Sequence, residues 1–220
     1  MKRNYKKIIP VRGRRKFSIN NFREIFAEGD ILQIDQRRFL FCNWNNLLRI
    51  NGDKLGEFIV LPPEANVKNN NGLISKKWVL ENLDFICDTE PSRNISIFSY
   101  YDSSVTEYKR VNDKIPAKFT YKFLEFKDDL KNGDIIECHK AFRPYDRKIK
   151  FIVATDTEGC PRLPYLEGFY SGMFAPIGYS DKMRSNKGRE YAISSSWLIK
   201  NWEAAFVGNC DIRHTYVNLQ

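Results

Sequence analysis

One ten-residue pattern occurs twice in this chain. The first copy reads Ile74-Ser75-Lys76-Lys77-Trp78-Val79-Leu80-Glu81-Asn82-Leu83, and the second reads Ile193-Ser194-Ser195-Ser196-Trp197-Leu198-Ile199-Lys200-Asn201-Trp202. The serine of each copy predicts a helix N-cap, because its hydroxyl can accept a hydrogen bond from an amide of the first turn. The isoleucine before each serine and the apolar residue four positions after that serine have the spacing of a hydrophobic staple. Each copy therefore predicts a helix of about three turns with its Trp against the core.

The residues that recur in the two copies are assigned structural roles. They are Ser75, Trp78 and Asn82 in the first copy, and Ser194, Trp197, Asn201 and Trp202 in the second. The asparagine amide stands late in each helix, where it can bond the backbone of a neighbouring loop. The pattern combines a helix with its cap and contains no catalytic residues, so it predicts core helices.

Other segments also recur in the second half of the chain. Lys16-Phe17-Ser18 resembles Lys118-Phe119-Thr120, and the turn Gly29-Asp30-Ile31-Leu32 resembles Gly133-Asp134-Ile135-Ile136. These copies lie 102 to 104 positions apart, whereas the Trp copies lie 119 apart. The second half therefore carries about 15 extra residues between its Gly-Asp turn and its helix. Such recurrence favours internal duplication.

The predicted fold class is α+β, with two similar halves. In each half several strands precede one late Trp-bearing helix, which favours a mostly antiparallel sheet over the alternating pattern of a parallel α/β sheet. We predict a basic N-terminal arm at 1–16, a first repeat at 17–101, a polar linker at 102–116 and a second repeat at 117–220. A further hypothesis is that the two Trp helices pack together as a pseudo-dimer.

The net charge of +9 is concentrated at the N-terminus. Residues 1–16 carry eight basic residues and no acidic one, so the remainder carries only +1. Such an arm is typically solvated and can bind nucleic acid or an acidic protein face. The folded part mixes acidic and basic residues among its aromatics and has no recognised nucleic-acid-binding motif, which argues against nucleic acid as the partner. No signal-peptide pattern and no run long enough to span a bilayer occurs, so we expect a soluble, cytoplasmic protein without a membrane partner.

The sequence contains no established catalytic or metal-binding motif. Its five cysteines include no C-x-x-C pair, and its two histidines, His139 and His214, stand alone. Scattered free thiols suit a reducing compartment. A Cys-His nucleophile pair stays open on paper for Cys160 or Cys210 with His214, whereas Cys138 and His139 are strand neighbours that point to opposite faces. We predict no enzyme activity, no metal and no cofactor.

The two matched aspartates, Asp30 and Asp134, are the other chemical possibility. Each follows a glycine at the start of a predicted strand, which is typical of a turn-forming residue. The alternative interpretation is a paired-carboxylate site built from the two halves.

Two stretches resemble the immunity protein 45 family. The first half contains Glu57-Phe58-Ile59-Val60-Leu61-Pro62-Pro63-Glu64-Ala65, and Gly72 follows before the Trp stretch. The family pattern is a strand that ends in L-P-x-E, followed by a G-I-S-x-x-W-L-x-x-N-W helix. The second half matches the helix more closely but lacks the L-P-x-E run, and the first half has Leu83 where the pattern has Trp. Proteins of this family are cytoplasmic antidotes of bacterial polymorphic toxins, including those of contact-dependent growth inhibition.

The resemblance implies an immunity protein that binds a cognate toxin domain and occludes its active site or substrate groove without catalysis. Such interfaces bury about 1,600 Å² in total. An acidic toxin face suits the basic arm better than a basic nuclease does. The alternative function is a nucleic-acid-binding module that uses the arm. The candidate partner-binding residues are Phe169, Tyr170, Met173, Phe174, Arg12, Arg14 and Arg15; the four in 169–174 have a core strand as their alternative.

Overall fold

The computed structural model contains two larger antiparallel sheets, each accompanied by short helices that begin at a Trp stretch. It describes residues 9–11, 14–67, 70–87, 94–100, 107–109, 120–139, 149–156, 159–167, 170–177, 183, 192–205 and 210–219.

The secondary structure consists mainly of short strands. In chain order they are β1 (Ile9–Val11), β2 (Arg14–Ser18), β3 (Ile25–Phe26), β4 (Ile31–Ile34), β5 (Arg37–Cys42), β6 (Asn46–Arg49), β7 (Phe58–Val60), β8 (Asn66–Val67), β9 (Asn70–Ser75), β10 (Ile95–Tyr100), β11 (Glu107–Lys109), β12 (Thr120–Lys122), β13 (Ile135–Cys138), β14 (Ile149–Ile152), β15 (Ala154–Thr155), β16 (Pro161–Arg162) and β17 (Thr215–Asn218). The helices are α1 (Lys76–Glu81), α2 (Leu83–Cys87), α3 (Ser195–Lys200) and α4 (Trp202–Ala205). Single 3₁₀ turns occupy Ile19–Asn21, Pro63–Ala65, Phe123–Glu125 and Ile212–His214.

The strand order places the first strand of each half next to its last strand. The first sheet runs β2-β10-β4-β5-β6-β7, and the second runs β12-β17-β13-β14. The paired strands of both sheets are antiparallel, in agreement with the predicted α+β class. Smaller antiparallel sheets join β1 to β11, β15 to β16, and β9 to both β3 and β8.

Parts of the predicted arm and linker form strands, which corrects both segments. β2 begins at Arg14, and its register places Phe17 opposite Ile97 of β10. β1 pairs with β11, which lies within 102–116. The charge and polarity of a segment do not prevent this pairing, because the open edge of a sheet offers unpaired backbone groups to any extended chain. The other residues of 1–16 and 102–116 lie outside the described ranges.

Both Trp stretches begin a helix at the predicted serine. Ser75 Oγ accepts a hydrogen bond from the Trp78 N–H at 3.3 Å, and Ser194 Oγ accepts one from the Trp197 N–H at 3.3 Å. These bonds confirm the two N-caps. The predicted staples are also buried: Ile74 and Val79 belong to one core, as do their counterparts in the second stretch.

The asparagine of each stretch interrupts its helix, so the prediction of one three-turn helix is wrong. Asn82 Nδ2 donates to the Trp78 carbonyl oxygen at 2.7 Å, and Asn201 Nδ2 donates to that of Trp197 at 2.8 Å. The side chain thus bonds its own helix rather than a neighbouring loop. In the second stretch the Asn201 backbone N–H bonds the same carbonyl oxygen at 3.0 Å. In both stretches the chain resumes as a second short helix.

The first sheet is buried on both faces. Phe39 and Phe41 of β5 point into a core that α1 and α2 cover, whereas Leu40 and Cys42 point to the other side. Burial on both faces accounts for the continuous apolar run of this strand. The residues on the other side form a central core to which both halves contribute, made of Ile31, Leu40, Cys42, Leu48, Phe58, Ile152 and Ala154.

The Trp helices lie in separate cores. Trp78 packs against the core of the first half, and Trp197 and Trp202 pack in that of the second. Trp202 is anchored further because its Nε1 donates to the Cys210 carbonyl oxygen at 3.3 Å. The two halves therefore meet through their sheets and the central core, and the hypothesis of paired Trp helices is wrong.

Two glycines allow the halves to approach closely. A Cβ built on Gly172 would overlap the Phe41 carbonyl oxygen and lie 2.5 Å from the Gly29 nitrogen. A Cβ on Gly56 would lie 2.8 Å from the Gly133 nitrogen. Both residues also have a φ of +87°, which side-chain-bearing residues rarely adopt.

We predict that Gly172→Ala destabilises the protein much more than Gly52→Ala. Gly52 has a φ of +81° but nothing within 4 Å of its added Cβ, so its substitution carries only the backbone strain, about 1 kcal/mol. Gly172→Ala adds a clash with backbone atoms of the other half, for a total of about 3 kcal/mol or more. Urea unfolding measures both free energies. Equal losses in the two variants would show that the halves are not in tight contact here.

Candidate protein-binding surface

The turn between β5 and β6 holds a tryptophan in a left-handed backbone conformation. Trp44 has a φ of 57° and Asn45 a φ of 59°. Asparagine tolerates this region because its short side chain can bond locally, but a bulky residue there is an outlier. The turn is stabilised by Asn46, whose Nδ2 donates to the carbonyl oxygens of Asn43 and Trp44 at 3.1 and 3.2 Å.

The indole of Trp44 is presented to solvent on a rigid support. Its side chain is 65% exposed, and its ring makes an edge contact with Phe174 at a centroid distance of 5.2 Å. Phe174 in turn contacts Phe58 at 5.5 Å and packs against the central core. The Arg162 guanidinium lies 5.9 Å from the indole centroid, and its charge is neutralised by an ion pair with Asp156 at 2.8 Å.

Both halves contribute to the surface around this tryptophan. The Asn43 N–H donates to the Gly172 carbonyl oxygen at 3.0 Å, so the segment that carries Met173 runs beside the turn. On the other flank, Val60 pairs with Asn46 at the end of β6. Met173 and Val60 are exposed. We call the group of Trp44, Val60, Met173 and Phe174 the Trp44 surface.

Two of the predicted partner-binding residues lie together in the structure. Met173 and Phe174 belong to the Trp44 surface, whereas Tyr170 is partly buried against the core of the second half, 5.6 Å from the Tyr165 ring. Arg14 and Arg15 lie in β2, where their backbones pair with Tyr100 and Ser99 of β10. The two remaining candidates, Phe169 and Arg12, lie outside the described residues.

Sequence reasoning missed Trp44 itself. A signal for it exists in the run Asn43-Trp44-Asn45-Asn46, where a large aromatic residue stands among residues that favour turns. A tryptophan at a turn is not placed by strand or helix periodicity, so its exposure follows from the turn rather than from a core face.

The two matched aspartates each serve their own turn. Asp30 Oδ2 accepts a hydrogen bond from the Ala27 N–H at 2.9 Å and pairs with Arg23, while Asp134 Oδ2 accepts one from the Lys131 N–H at 2.8 Å. Burial raises the pKa of Asp30 above its usual range, although Ser99, the Ala27 amide and Arg23 oppose that shift. These bonds support the interpretation of the aspartates as turn formers.

Two cysteines of the second half, Cys138 and Cys210, are hydrogen-bonded to each other. The hydrogen bond with Cys138, together with burial, raises the pKa of the Cys210 thiol, which is the opposite of nucleophile activation. Each histidine faces a carboxylate: His139 Nε2 lies 3.3 Å from Glu137, and His214 Nδ1 lies 3.2 Å from Asp211. As predicted for strand neighbours, Cys138 is fully buried while His139 shares a face with Glu137.

Arginine side chains line a groove of about 800 Å³ at the end of α2. Arg37 Nη1 donates to the carbonyl oxygen of Cys87, the last residue of that helix, at 3.0 Å. Arg38 Nε donates to Gln33 Oε1 at 3.0 Å. Arg37 and Arg38 thus bond a helix end and a neighbouring strand, so both side chains have a structural role at this groove.

Within the described ranges, no three His, Cys, Asp or Glu side chains are placed to hold a metal ion. In the same part of the chain, no helix has the length and apolarity needed to cross a membrane. Models of known protein families, curated proteins and solved structures were compared with the chain, and none of them matches. The resemblance to the immunity protein 45 family therefore stays a prediction.

We predict that Trp44→Asn changes the free energy of unfolding by less than about 1 kcal/mol, because relief of the left-handed strain offsets the lost ring contact. The buried Trp202, which packs 5.0 Å from the Phe123 ring, provides the comparison. Trp202→Ala is expected to cost about 3 kcal/mol or more. Chemical denaturation measures both. A loss for Trp44→Asn as large as that for Trp202→Ala would make Trp44 a structural residue.

We predict that Asp30→Ala costs about 1–3 kcal/mol of stability, because it leaves the Ala27 N–H unpaired, whereas Asp30→Asn keeps an acceptor and costs less. A carboxyl pKa raised by folding means that the native state binds more protons than the unfolded chain. The stability of the unmutated protein relative to Asp30→Asn should therefore rise as pH falls through the folded pKa, and level off below the unfolded value of about 3.9. Thermal unfolding at several pH values tests this, and the opposite slope would refute it.

Proposed function

We propose that this protein is an immunity protein that binds a cognate bacterial toxin domain in the cytoplasm and occludes it without catalysis. The observation that carries the proposal is the Trp44 surface, where a strained and exposed tryptophan is supported from below by Phe174 and Phe58. A backbone conformation that disfavours tryptophan indicates selection for something other than folding stability. Exposed tryptophan on a rigid support is typical of the residues that dominate protein–protein binding energy.

The sequence resemblance supports the same function independently. The Trp stretches and the Leu61-Pro62-Pro63-Glu64 run resemble the immunity family, whose members act through a surface and not through chemistry. The described titratable groups agree with this proposal, since the matched aspartates are engaged in turns and the Cys210 thiol has a raised pKa.

We also infer that the two halves are copies of one unit. Gly29 N–H donates to the Phe41 carbonyl oxygen and Gly133 N–H donates to that of Val153, each at 2.9 Å. The sheets share the order of first strand, last strand, Gly-Asp strand and next strand. Tyr121 pairs with β17 in the way that Phe17 pairs with β10. The counterpart of Phe17 is therefore Tyr121 and not Phe119, which revises the sequence alignment of the first strands.

Duplication followed by divergence would explain why the Trp44 surface occurs only once among the described residues. Phe174 follows Gly172 by two residues, and Phe58 follows Gly56 by two residues. The two rings meet where the halves join. Trp44 lies three residues after Phe41, and Asp156 lies three residues after Val153, the counterpart of Phe41. Only the first half therefore adds a tryptophan to this pair of rings. The copies have therefore diverged, and one side of the junction has become the binding surface.

The proposal is tested by binding to the C-terminal domain of a large secreted protein encoded directly upstream. We expect a stable complex whose affinity falls about 100-fold or more with Trp44→Ala, as for other central aromatic anchors. Phe85→Ala is the matched control, because Phe85 is also an exposed aromatic but lies on α2, at the opposite face of the first sheet. Titration calorimetry gives both affinities, and the control should stay within about threefold.

Two results would contradict the proposal. One is the absence of a complex when both proteins are folded. The other is a nucleic-acid affinity with steep salt dependence that disappears when residues 1–8 are deleted, which would favour the nucleic-acid-binding module. That deletion removes Lys2, Arg3, Lys6 and Lys7 but leaves β1 and β2 intact.

A further inference from the structure

The Trp44 surface is bordered by a carboxylate whose environment differs from that of the other acidic residues nearby. Glu28 stands immediately before Gly29, and its backbone lies beside Gly172, the residue that bonds the Asn43 amide. Its charge also acts on Cys42, two residues before Trp44: burial and, next, the Glu28 charge raise the pKa of the Cys42 thiol. Glu28 therefore lies on the rim of the Trp44 surface.

Glu28 is exposed at the surface, and its carboxylate is partly desolvated. Burial raises the pKa of Glu28, and no charge or hydrogen bond offsets that shift. Among the residues that the structure describes, no hydrogen bond or ion pair reaches this side chain. Asp30, only two residues away, has the Ala27 amide and Arg23 as partners.

Two acceptors of the turn also lack a donor. Asn43 Oδ1 and Asn45 Oδ1, on either side of Trp44, are both buried without a donor from the described part of the chain. Because these two oxygens are buried, the acceptor that the rim offers to a partner is the negatively charged Glu28 carboxylate. Such a carboxylate favours a ligand that brings donors and positive charge.

The second half shows what a completed arrangement looks like. Asn132 precedes Gly133 as Glu28 precedes Gly29, and Thr155 follows Val153 by two residues as Asn43 follows Phe41. The Thr155 hydroxyl donates to Asn132 Oδ1, so that position is internally satisfied. In the first half the corresponding side chains are Glu28, an anionic acceptor, and Asn43, whose Oδ1 has no donor from the described residues. The two side chains therefore do not satisfy each other.

We propose that the Trp44 surface takes an arginine- or lysine-bearing loop of the partner protein, with the cation beside Glu28 and its aliphatic stem against Trp44. The proposal rests on the proposed function and specifies its partner. Arginine fits best, because its planar group offers several donors and stacks on aromatic rings. This partner differs from the acidic toxin face expected from the sequence, because the net charge of +9 describes the chain as a whole and not this rim.

The first test uses the upstream-encoded toxin domain and the substitution Glu28→Gln, which removes the charge and keeps the size. We expect the affinity to fall about tenfold. We also expect the affinity to depend less on salt concentration between about 50 and about 300 mM. Glu81→Gln is the matched control, since it removes the same charge from an exposed residue on α1, at the other face of the sheet. The control should keep wild-type affinity, and thermal unfolding should show that both variants are folded.

The second test does not require the toxin. A short peptide with one leucine and two arginines is compared with the same peptide carrying two glutamates, using the fluorescence difference between the wild-type protein and Trp44→Phe. We expect the arginine peptide to bind about tenfold more tightly, and Glu28→Gln to abolish that preference. Because the net charge of the chain attracts the glutamate peptide, a preference for arginine must arise at this surface.

The outcomes separate the two proposals. A toxin complex weakened by Trp44→Ala but unchanged by Glu28→Gln would overturn the cationic partner and leave the immunity function in place. No toxin complex, together with a clear arginine preference at Trp44, would overturn the immunity function and support the cation-binding surface. A preference for the glutamate peptide would overturn the inference whatever the toxin does.

Discussion

Direct contact between glycine backbones sets the short distance between the two halves of the molecule. Gly172 lies against Gly29 and Phe41, and Gly56 lies against Gly133, at distances that leave no room for a Cβ. This approach lets backbone groups bond across the junction, as Asn43 does with Gly172. It also brings the inner faces of the two sheets together, which buries the central core and explains why β5 is apolar on both faces.

The junction also creates the surface to which we assign function. Trp44 comes from the first half and Phe174 from the second, so neither half alone supplies both rings of this contact. The tryptophan is strained and exposed, yet its ring is supported by residues that reach into the central core. A protein that acts by occlusion needs such a rigid, solvent-facing anchor rather than an enclosed pocket, because its partner supplies the other side of the site.

The titratable groups that the structure describes mainly serve the fold. Asp30 and Asp134 hold the turns that carry the critical glycines. Asp211 caps a 3₁₀ turn, and Arg213 holds the pKa of that carboxyl at about 2. Glu28 differs, because no partner among the described residues offsets the desolvation that raises its pKa, and it lies at the surface where a partner is proposed. We therefore propose this carboxylate as the group that recognises a cation of the partner.

Short-range patterns were sufficient for the serine caps, the Gly-Asp turns and the antiparallel strands, because the groups that form them lie within a few residues or on neighbouring strands. The break in each Trp helix was also encoded locally, but periodicity does not reveal that an asparagine amide bonds a carbonyl of its own helix. The separate positions of the Trp helices and the pairing of the arm with β10 and β11 depended on long-range packing. So did the meeting of Trp44 with Phe174, since these residues are 130 positions apart and the glycine contacts that join them arise only when both sheets have formed.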